Sequence, residues 1–164
     1  MFKAFYGFTL SRKRFATVIF FADRLFPHVF VTIYLVFCGF IAYNRIFTSL
    51  VLYASVPFAA LALGFIIRSI VKRPRPCTQF KITGPYANKP SPSFPSNHVT
   101  AATAIAYGCL YISIPVGIVV FCLAILTALC RLFTGAHYPS DVCAGFLLAT
   151  FTALVGFSGI ASVL

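Results

Sequence analysis

Five long apolar segments constrain this chain more than any other feature of its sequence. A helix that crosses a lipid bilayer needs about 20 mostly apolar residues. Runs of that kind cover residues 24–43, 47–67, 96–115, 116–133 and 142–162. Because 164 residues with five such runs leave no room for a separate soluble core, the sequence predicts an all-α, polytopic membrane helix bundle with five spanning helices.

The composition excludes a soluble domain and indicates an anionic partner. Hydrophobic residues make up 60% of the chain and charged residues 9%, whereas soluble domains carry roughly 25% charged residues. Thirteen lysines and arginines face only two acids, Asp23 and Asp141, for a net charge of +11. In a chain this apolar, we expect the partners to be a lipid phosphate and the membrane surface, not nucleic acid.

The first 22 residues differ from the rest because cations alternate with aromatic residues and no long apolar run is present. This pattern predicts an amphipathic helix over residues 1–22 that lies in the membrane interface. Residues 23–164 then form the membrane-embedded domain. The alternative is a cytoplasmic tail followed by an early first span, and a sixth span is also possible.

Two connections between the apolar runs, residues 68–98 and 131–141, hold nearly all the polar residues that could carry chemistry. The first is rich in proline and predicts an ordered loop with little regular structure. If the chain crosses the membrane five times, both connections lie on the same face. The sequence therefore predicts that the two loops build one site.

The first loop opens with four cations at the end of a predicted span: Arg68, Lys72, Arg73 and Arg75. Such a cluster can be ordinary flanking charge that sets membrane orientation. It can also bind phosphate, because the planar guanidinium group matches the geometry of phosphate oxygens. Both interpretations stay open on this cluster alone.

The same loop ends where the third span begins, at Ser96, Asn97 and His98. Ser96 is predicted to be the N-cap of that span. A helix N-terminus presents unpaired N–H groups and a positive dipole end, which together favour a bound anion. His98 could then act as a general acid, although a plain helix cap beside an interfacial histidine would look the same.

The second loop contains Arg131, His137 and Asp141, and Pro139 suits the first turn of the last helix. Because Asp141 follows His137 by four residues, its carboxylate could accept a hydrogen bond from one imidazole nitrogen. The alternative is an incidental histidine beside a helix-start aspartate. Few side chains here could bind a metal, and arginines repel cations, so we expect a site without metal or other cofactor.

Three segments in this order resemble the signatures of the type-2 phosphatidic acid phosphatase superfamily. They are Arg68-x6-Arg75-Pro76, Pro95-Ser96-Asn97-His98 and Cys130-Arg131-x5-His137-x3-Asp141. Arg68 stands where the family usually has lysine, Asn97 where glycine is common and Cys130 where serine is common. The family usually has six spans, so the resemblance bears on chemistry more directly than on topology.

The resemblance implies a role for each matching residue. His137 would attack phosphorus and become a phosphohistidine, Asp141 would orient His137, and His98 would protonate the leaving oxygen. The phosphoryl oxygens would be bound by Arg68, Arg75, Arg131, Ser96 and the N–H of Asn97. Lys72 is added as a further phosphate-binding cation because it lies in the same cluster.

The resemblance implies a metal-independent hydrolase that removes a phosphate from a lipid. Undecaprenyl diphosphate is the favoured substrate, because Lys72 and Arg73 add charge that a diphosphate would match. Phosphatidylglycerophosphate, phosphatidate and lipid A phosphates are alternatives within the family. A non-catalytic lipid-binding membrane protein is an alternative of another class, and a vanadate-dependent haloperoxidase shares the site but is soluble.

We expect a multi-pass protein of the cell membrane whose site faces the extracytoplasmic side, as in the family. The distribution of cations favours the opposite orientation. On a five-span topology the N-terminal cations and both polar loops share one face, and only Arg45 lies on the other. Many of these cations have a catalytic explanation, so the family expectation is preferred.

Overall fold

The computed structural model describes residues 6, 7, 9, 11–80 and 91–161, and all regular structure within these residues is helical. The predicted all-α class is therefore confirmed. The helices are α1 (Lys13–Tyr43), α2 (Phe47–Val71), α3 (Pro76–Gln79), α4 (Asn97–Ile112), α5 (Ile114–Phe133) and α6 (Pro139–Ala161).

Four helices of the described chain are long and apolar enough to cross a membrane, namely α1, α2, α5 and α6. The fifth predicted span, residues 96–115, forms helix α4, which has only 16 residues. At 1.5 Å per residue such a helix is about 24 Å long, shorter than the roughly 30 Å hydrocarbon layer. The membrane helix bundle is confirmed, with four helices of spanning length and the shorter α4 among them, and the number of spans stays a prediction.

Helix α1 runs without a break through residue 22, where the sequence suggested a boundary between an interfacial helix and the first span. Phe15 lies in the N-terminal part of α1 and packs edge-on against Phe133 at the end of α5, with ring centroids 5.6 Å apart. Residues 1–5, 8 and 10 lie outside the described residues. The interfacial position of residues 1–22 stays a prediction.

The proline-rich connection contains more helix than the sequence indicated. Helix α2 continues to Val71 instead of ending near residue 67, so Arg68 lies in its last turn. A four-residue helix, α3, then begins at Pro76, because a proline at the first helical position has no N–H to leave unpaired. Residues 81–90 of this loop lie outside the described residues.

Helix α4 is the centre of the bundle, in contact with α1, α2, α5 and α6. Ten of its sixteen residues are buried, and most of them are alanine, threonine or glycine. Small side chains allow neighbouring helices to approach closely. The N-terminus of α4 is therefore surrounded by the ends of the other helices, and this is where the two polar loops lie.

Gly145 on α6 allows the closest approach to the N-terminus of α4. A Cβ added at Gly145 would lie 2.8 Å from the carbonyl oxygen of Ser96 and 3.0 Å from Oγ1 of Thr100. That carbonyl already accepts hydrogen bonds from the N–H and hydroxyl of Thr100. The backbone at this contact has little freedom to move aside.

We expect Gly145→Ala to destabilise the protein by about 1–3 kcal/mol, the usual cost of overpacking. The measurement is the thermal unfolding midpoint of the purified protein in detergent. Gly39→Ala on α1 is the matched control, because nothing lies within 4 Å of its added Cβ. Equal midpoints for the two variants would contradict the close packing of α4 against α6.

Candidate active site

The two polar loops meet, as the sequence predicted. The N–H of Cys77 donates to the carbonyl of Gly135 at 3.4 Å, and the N–H of Ser96 donates to the carbonyl of Asp141 at 3.0 Å. Gly135 has a φ of 69°, a conformation that glycine adopts without steric cost. These bonds bring the N-termini of α4 and α6 together with the C-terminus of α5.

His137 lies at the centre of the site and is 1% exposed. Its Nδ1 is 2.8 Å from the carbonyl oxygen of Ser93. Because a carbonyl can only accept a hydrogen bond, Nδ1 carries the proton and Nε2 keeps its lone pair. Nε2 is buried and has no hydrogen-bond partner among the described residues, which leaves it available to an electrophile.

The surroundings of His137 hold its imidazole in the neutral form. Burial lowers the pKa of His137 to about 4, and the charges of Arg75 and Arg131 lower it too, whereas Asp141 acts in the opposite direction. At neutral pH the imidazole is therefore uncharged, which is the state in which Nε2 is a nucleophile.

Asp141 is close to His137, but it does not make the direct hydrogen bond that the spacing suggested. Its Oδ2 lies 3.7 Å from His137 Nδ1, and the same oxygen accepts a 2.9 Å hydrogen bond from the N–H of Tyr138. The carbonyl of Ser93 is closer to Nδ1 and accepts its hydrogen bond. Asp141 therefore acts on His137 mainly through its charge, and the backbone fixes the tautomer.

Arg73, which the sequence analysis counted only as extra charge for a diphosphate, is paired with Asp141 in the structure. Its Nη1 donates to Oδ1 of Asp141 at 2.8 Å and to Oγ of Ser140 at 2.7 Å. Its guanidinium also lies 4.0 Å above the ring of Tyr138. Arg73 thus contacts one carboxylate oxygen of Asp141 while the other lies near His137.

Arg75 and Arg68 both donate hydrogen bonds to backbone carbonyl groups. Arg75 is buried and donates to the carbonyls of Ser91 at 3.1 Å and Ala136 at 3.4 Å. Arg68 donates to the carbonyl of Pro95 at 2.6 Å, and its buried Nε has no hydrogen-bond partner within the described residues. Neutral acceptors position these guanidinium groups without cancelling their charge.

Arg131 is held by Asp23, a residue that the sequence did not assign. Nε of Arg131 lies 3.1 Å from Oδ1 of Asp23, and the two side chains are 3% and 1% exposed. Nη2 of Arg131 also donates to the backbone carbonyl of Asp23 at 3.3 Å. That carbonyl is available because Pro27, four residues later, has no N–H to bond to it.

The N-terminus of α4 carries two buried polar side chains without partners. Ser96 occupies the N-cap position, as predicted, but its hydroxyl makes no capping hydrogen bond. The Oγ of Ser96 and both amide atoms of Asn97 have no hydrogen-bond partner in the described part of the chain. These groups point to an anion or another polar ligand at this helix end.

His98 and Lys72 are both exposed, but they relate differently to the site. Loss of hydration lowers the pKa of His98, and the positive charges of Arg131, Arg75 and Arg68 lower it further, so His98 lies beside the cationic cluster. Lys72 is the C-cap of α2, with a left-handed φ of 46°. Because it is exposed at the helix end, its role as a phosphate-binding cation stays a prediction.

The structure combines a helical bundle, a cluster of arginines and a buried neutral histidine. Together these features indicate one class of membrane proteins. The PAP2 superfamily model matches residues 49–161, which is more than half of the chain. The chain therefore belongs to the PAP2 superfamily, as the three motifs indicated.

A relative in this family is the undecaprenyl-diphosphatase BcrC of Bacillus subtilis (strain 168), with 31% identity over 108 residues. The alignment covers 65% of this chain and 54% of that protein, so the chain spans about half the length of its relative. No solved structure matches the chain.

The buried ion pair between Asp23 and Arg131 predicts that a substitution at Asp23 lowers the stability of the protein. We expect Asp23→Asn to lower the thermal unfolding midpoint strongly, because removing one member of a buried ion pair costs about 3–5 kcal/mol. The loss follows from leaving the guanidinium of Arg131 buried without its counter-charge. The measurement is thermal unfolding of the purified protein in detergent.

The double variant Asp23→Asn, Arg131→Met is the control for this prediction. This variant removes both charges of the pair. Its midpoint should therefore be higher than the value expected from adding the losses of Asp23→Asn and Arg131→Met measured separately. Strictly additive losses would show that the two side chains do not interact.

Proposed function

We propose that this chain is an integral membrane lipid phosphatase that hydrolyses a lipid diphosphate through a phosphohistidine intermediate. The observation that carries the proposal is the neutral, buried His137, whose unpartnered Nε2 lies among arginines. A nucleophile without charge can approach a phosphate that cations hold. Membership of the PAP2 superfamily supports the same chemistry.

In the first step, Nε2 of His137 attacks phosphorus while the bond to the leaving oxygen breaks. The carbonyl of Ser93 keeps the proton on Nδ1, and Asp141 stabilises the positive charge that develops on the imidazole. Arg68, Arg75 and Arg131, with the N-terminus of α4, stabilise charge on the three equatorial oxygens. Loss of hydration and the surrounding arginines lower the pKa of His98, so in this proposal His98 becomes protonated only when the negative charge of the bound substrate opposes them. It then gives that proton to the leaving oxygen.

In the second step, water attacks the phosphohistidine from the side that the leaving group has vacated. His98, now neutral, takes a proton from this water as the new P–O bond forms and the N–P bond breaks. Inorganic phosphate leaves, and His98 and His137 return to their starting protonation states. The same residue thus acts first as general acid and then as general base.

The favoured substrate is undecaprenyl diphosphate, which is also in the name of the Bacillus relative. An apolar cavity of about 380 Å³ begins at His98 and extends between α1 and α2, and it suits the chain of a lipid. Phosphatidylglycerophosphate, phosphatidate and lipid A phosphates share this chemistry and remain alternative substrates. The site is proposed to face the extracytoplasmic side of the cell membrane.

We expect His137→Ala to abolish turnover and to prevent accumulation of phosphoenzyme. The test uses a radiolabelled lipid diphosphate, rapid quenching in alkali and detection of protein-bound phosphate, since phosphohistidine survives alkali and is lost in acid. A protein without the nucleophile cannot form the N–P bond, so no label should remain on it.

His28→Ala is the matched control, because His28 is an exposed histidine on α1 outside the site. This variant should keep both activity and labelling. A purified wild-type protein that binds lipid phosphates without hydrolysing them would support the non-catalytic alternative instead.

We also expect hydrolysis to continue after removal of divalent cations. Among the described residues, no group of three or more histidine, cysteine, aspartate and glutamate side chains could hold a metal ion, and arginines can supply the charge. The measurement is the turnover of wild-type protein after dialysis against a chelator, with the chelator present in the assay. Complete loss of activity that Mg²⁺ restores would contradict metal independence.

A further inference from the structure

The apolar cavity is lined at one end by the polar side chains of Asn97 and His98. Four polar residues line it: Tyr34, Asn97, His98 and Thr127. The hydroxyl of Tyr34 donates to the carbonyl of Ala54 at 3.2 Å, and that of Thr127 donates to the carbonyl of Leu123 at 2.9 Å. Because these two hydroxyls already donate hydrogen bonds, Asn97 and His98 are the polar lining residues that could bind a ligand.

The carboxamide of Asn97 is only 7% exposed, yet neither its oxygen nor its nitrogen has a hydrogen-bond partner among the described residues. Burial of an unpaired amide is costly. An amide left in this state indicates a polar ligand that completes its hydrogen bonds. The unpartnered groups lie at the N-terminus of α4, a position that favours negative charge.

Gly64 on α2 makes room for this side chain. A Cβ added at Gly64 would lie 2.9 Å from Oδ1 of Asn97. Gly64 precedes Arg68 by four residues, so both lie on the face of α2 that meets the start of α4. Arg68 contacts Pro95 on the same side, and the missing side chain at Gly64 lets the carboxamide of Asn97 fit beside it.

The position of Asn97 relates it to the leaving group of the reaction. In phosphoryl transfer the nucleophile and the leaving oxygen lie on opposite sides of phosphorus. The leaving group carries the lipid chain, so it must lie toward the apolar cavity, which begins at Asn97 and His98. In a lipid diphosphate this leaving group is a second phosphate, whereas in a lipid monophosphate it is an alcohol oxygen on a methylene carbon.

We propose that the Asn97 carboxamide is a specificity-determining group that hydrogen-bonds the lipid-attached phosphate of a diphosphate substrate. This inference rests on the proposed phosphatase function and adds a second phosphate subsite to it. The amide nitrogen donates to an oxygen of the retained phosphate. A monophosphate offers no such oxygen, so Asn97 favours diphosphates over monophosphates.

The test compares two substrates that share one lipid chain, a polyprenyl diphosphate and the corresponding monophosphate, in mixed micelles. Asn97→Gly should lower kcat/KM for the diphosphate by about 10- to 100-fold, the usual effect of losing a hydrogen bond to a charged group. The value for the monophosphate should change little. Inhibition by inorganic vanadate should stay the same, because the variant keeps the backbone N–H at residue 97.

Gly64→Ala is an independent variant that keeps Asn97 in the chain. Its methyl group would displace the carboxamide, and the fold should survive because the contacted atom is the end of a flexible side chain. It should lower the preference for diphosphate in the same direction, and adding it to Asn97→Gly should have no further effect. Tyr34→Phe, which lines the same cavity, should leave the ratio of the two kcat/KM values unchanged.

The outcomes separate this inference from the proposed function. A wild-type protein that hydrolyses neither substrate contradicts the phosphatase function itself. An active wild-type protein whose substrate ratio is unchanged by Asn97→Gly overturns the subsite. Equal losses on both substrates also overturn it, because they would indicate a structural role for Asn97. Asn97→Ala serves in place of the glycine variant if the latter does not fold.

Discussion

The hydrogen bond from His137 Nδ1 to the carbonyl of Ser93 determines what the rest of the site can do. A buried imidazole needs a partner for its proton, and a backbone carbonyl accepts without gaining or losing charge. Ser93 is itself fixed, because its N–H donates to the carbonyl of Arg73 and its hydroxyl to that of Pro74. Nε2 of His137, the proposed nucleophile, is therefore oriented by the chain segment that also carries Arg73 and Arg75.

The distribution of charge follows from the shortage of carboxylates. The sequence has two acids, and each is paired with one arginine: Asp23 with Arg131, and Asp141 with Arg73. Arg68 and Arg75 are positioned by carbonyl oxygens instead. A carbonyl dipole orients a guanidinium but leaves its net charge intact, so these two arginines keep the greater attraction for a phosphate.

Sequence patterns predicted the parts of the site that consist of recognisable side chains. They missed the parts that depend on backbone groups. His137, Asp141 and the N-terminus of α4 were identified because their spacing relates directly to helix ends. The carbonyl of Ser93 was not, because every residue has a carbonyl and no sequence pattern distinguishes this one. Asp23 lies 108 residues from Arg131, a distance at which only the packing of α1 against α5 brings them together.

Helix boundaries were predicted least well, for a related reason. Cations such as Arg68 end an apolar run in the sequence, but they are good helix formers, so α2 continues to Val71. In the same way, α1 extends through residue 22 although its composition changes there. The one local pattern that could have revealed Asp23 is its spacing to Pro27, which frees the carbonyl that Arg131 uses.

These features together explain how the site can favour a bound anion. Burying guanidinium groups beside apolar helices is unfavourable in free energy, and carbonyl dipoles offset only part of that cost. A third carboxylate would reduce the positive charge of the cluster and would compete with an anion for the same donors. Because the protein supplies just two, the cationic cluster keeps an excess of positive charge that a bound phosphate relieves. The low dielectric of the surroundings then strengthens the attraction, and in the proposed reaction it would also act on the negative charge that builds up as phosphorus is attacked.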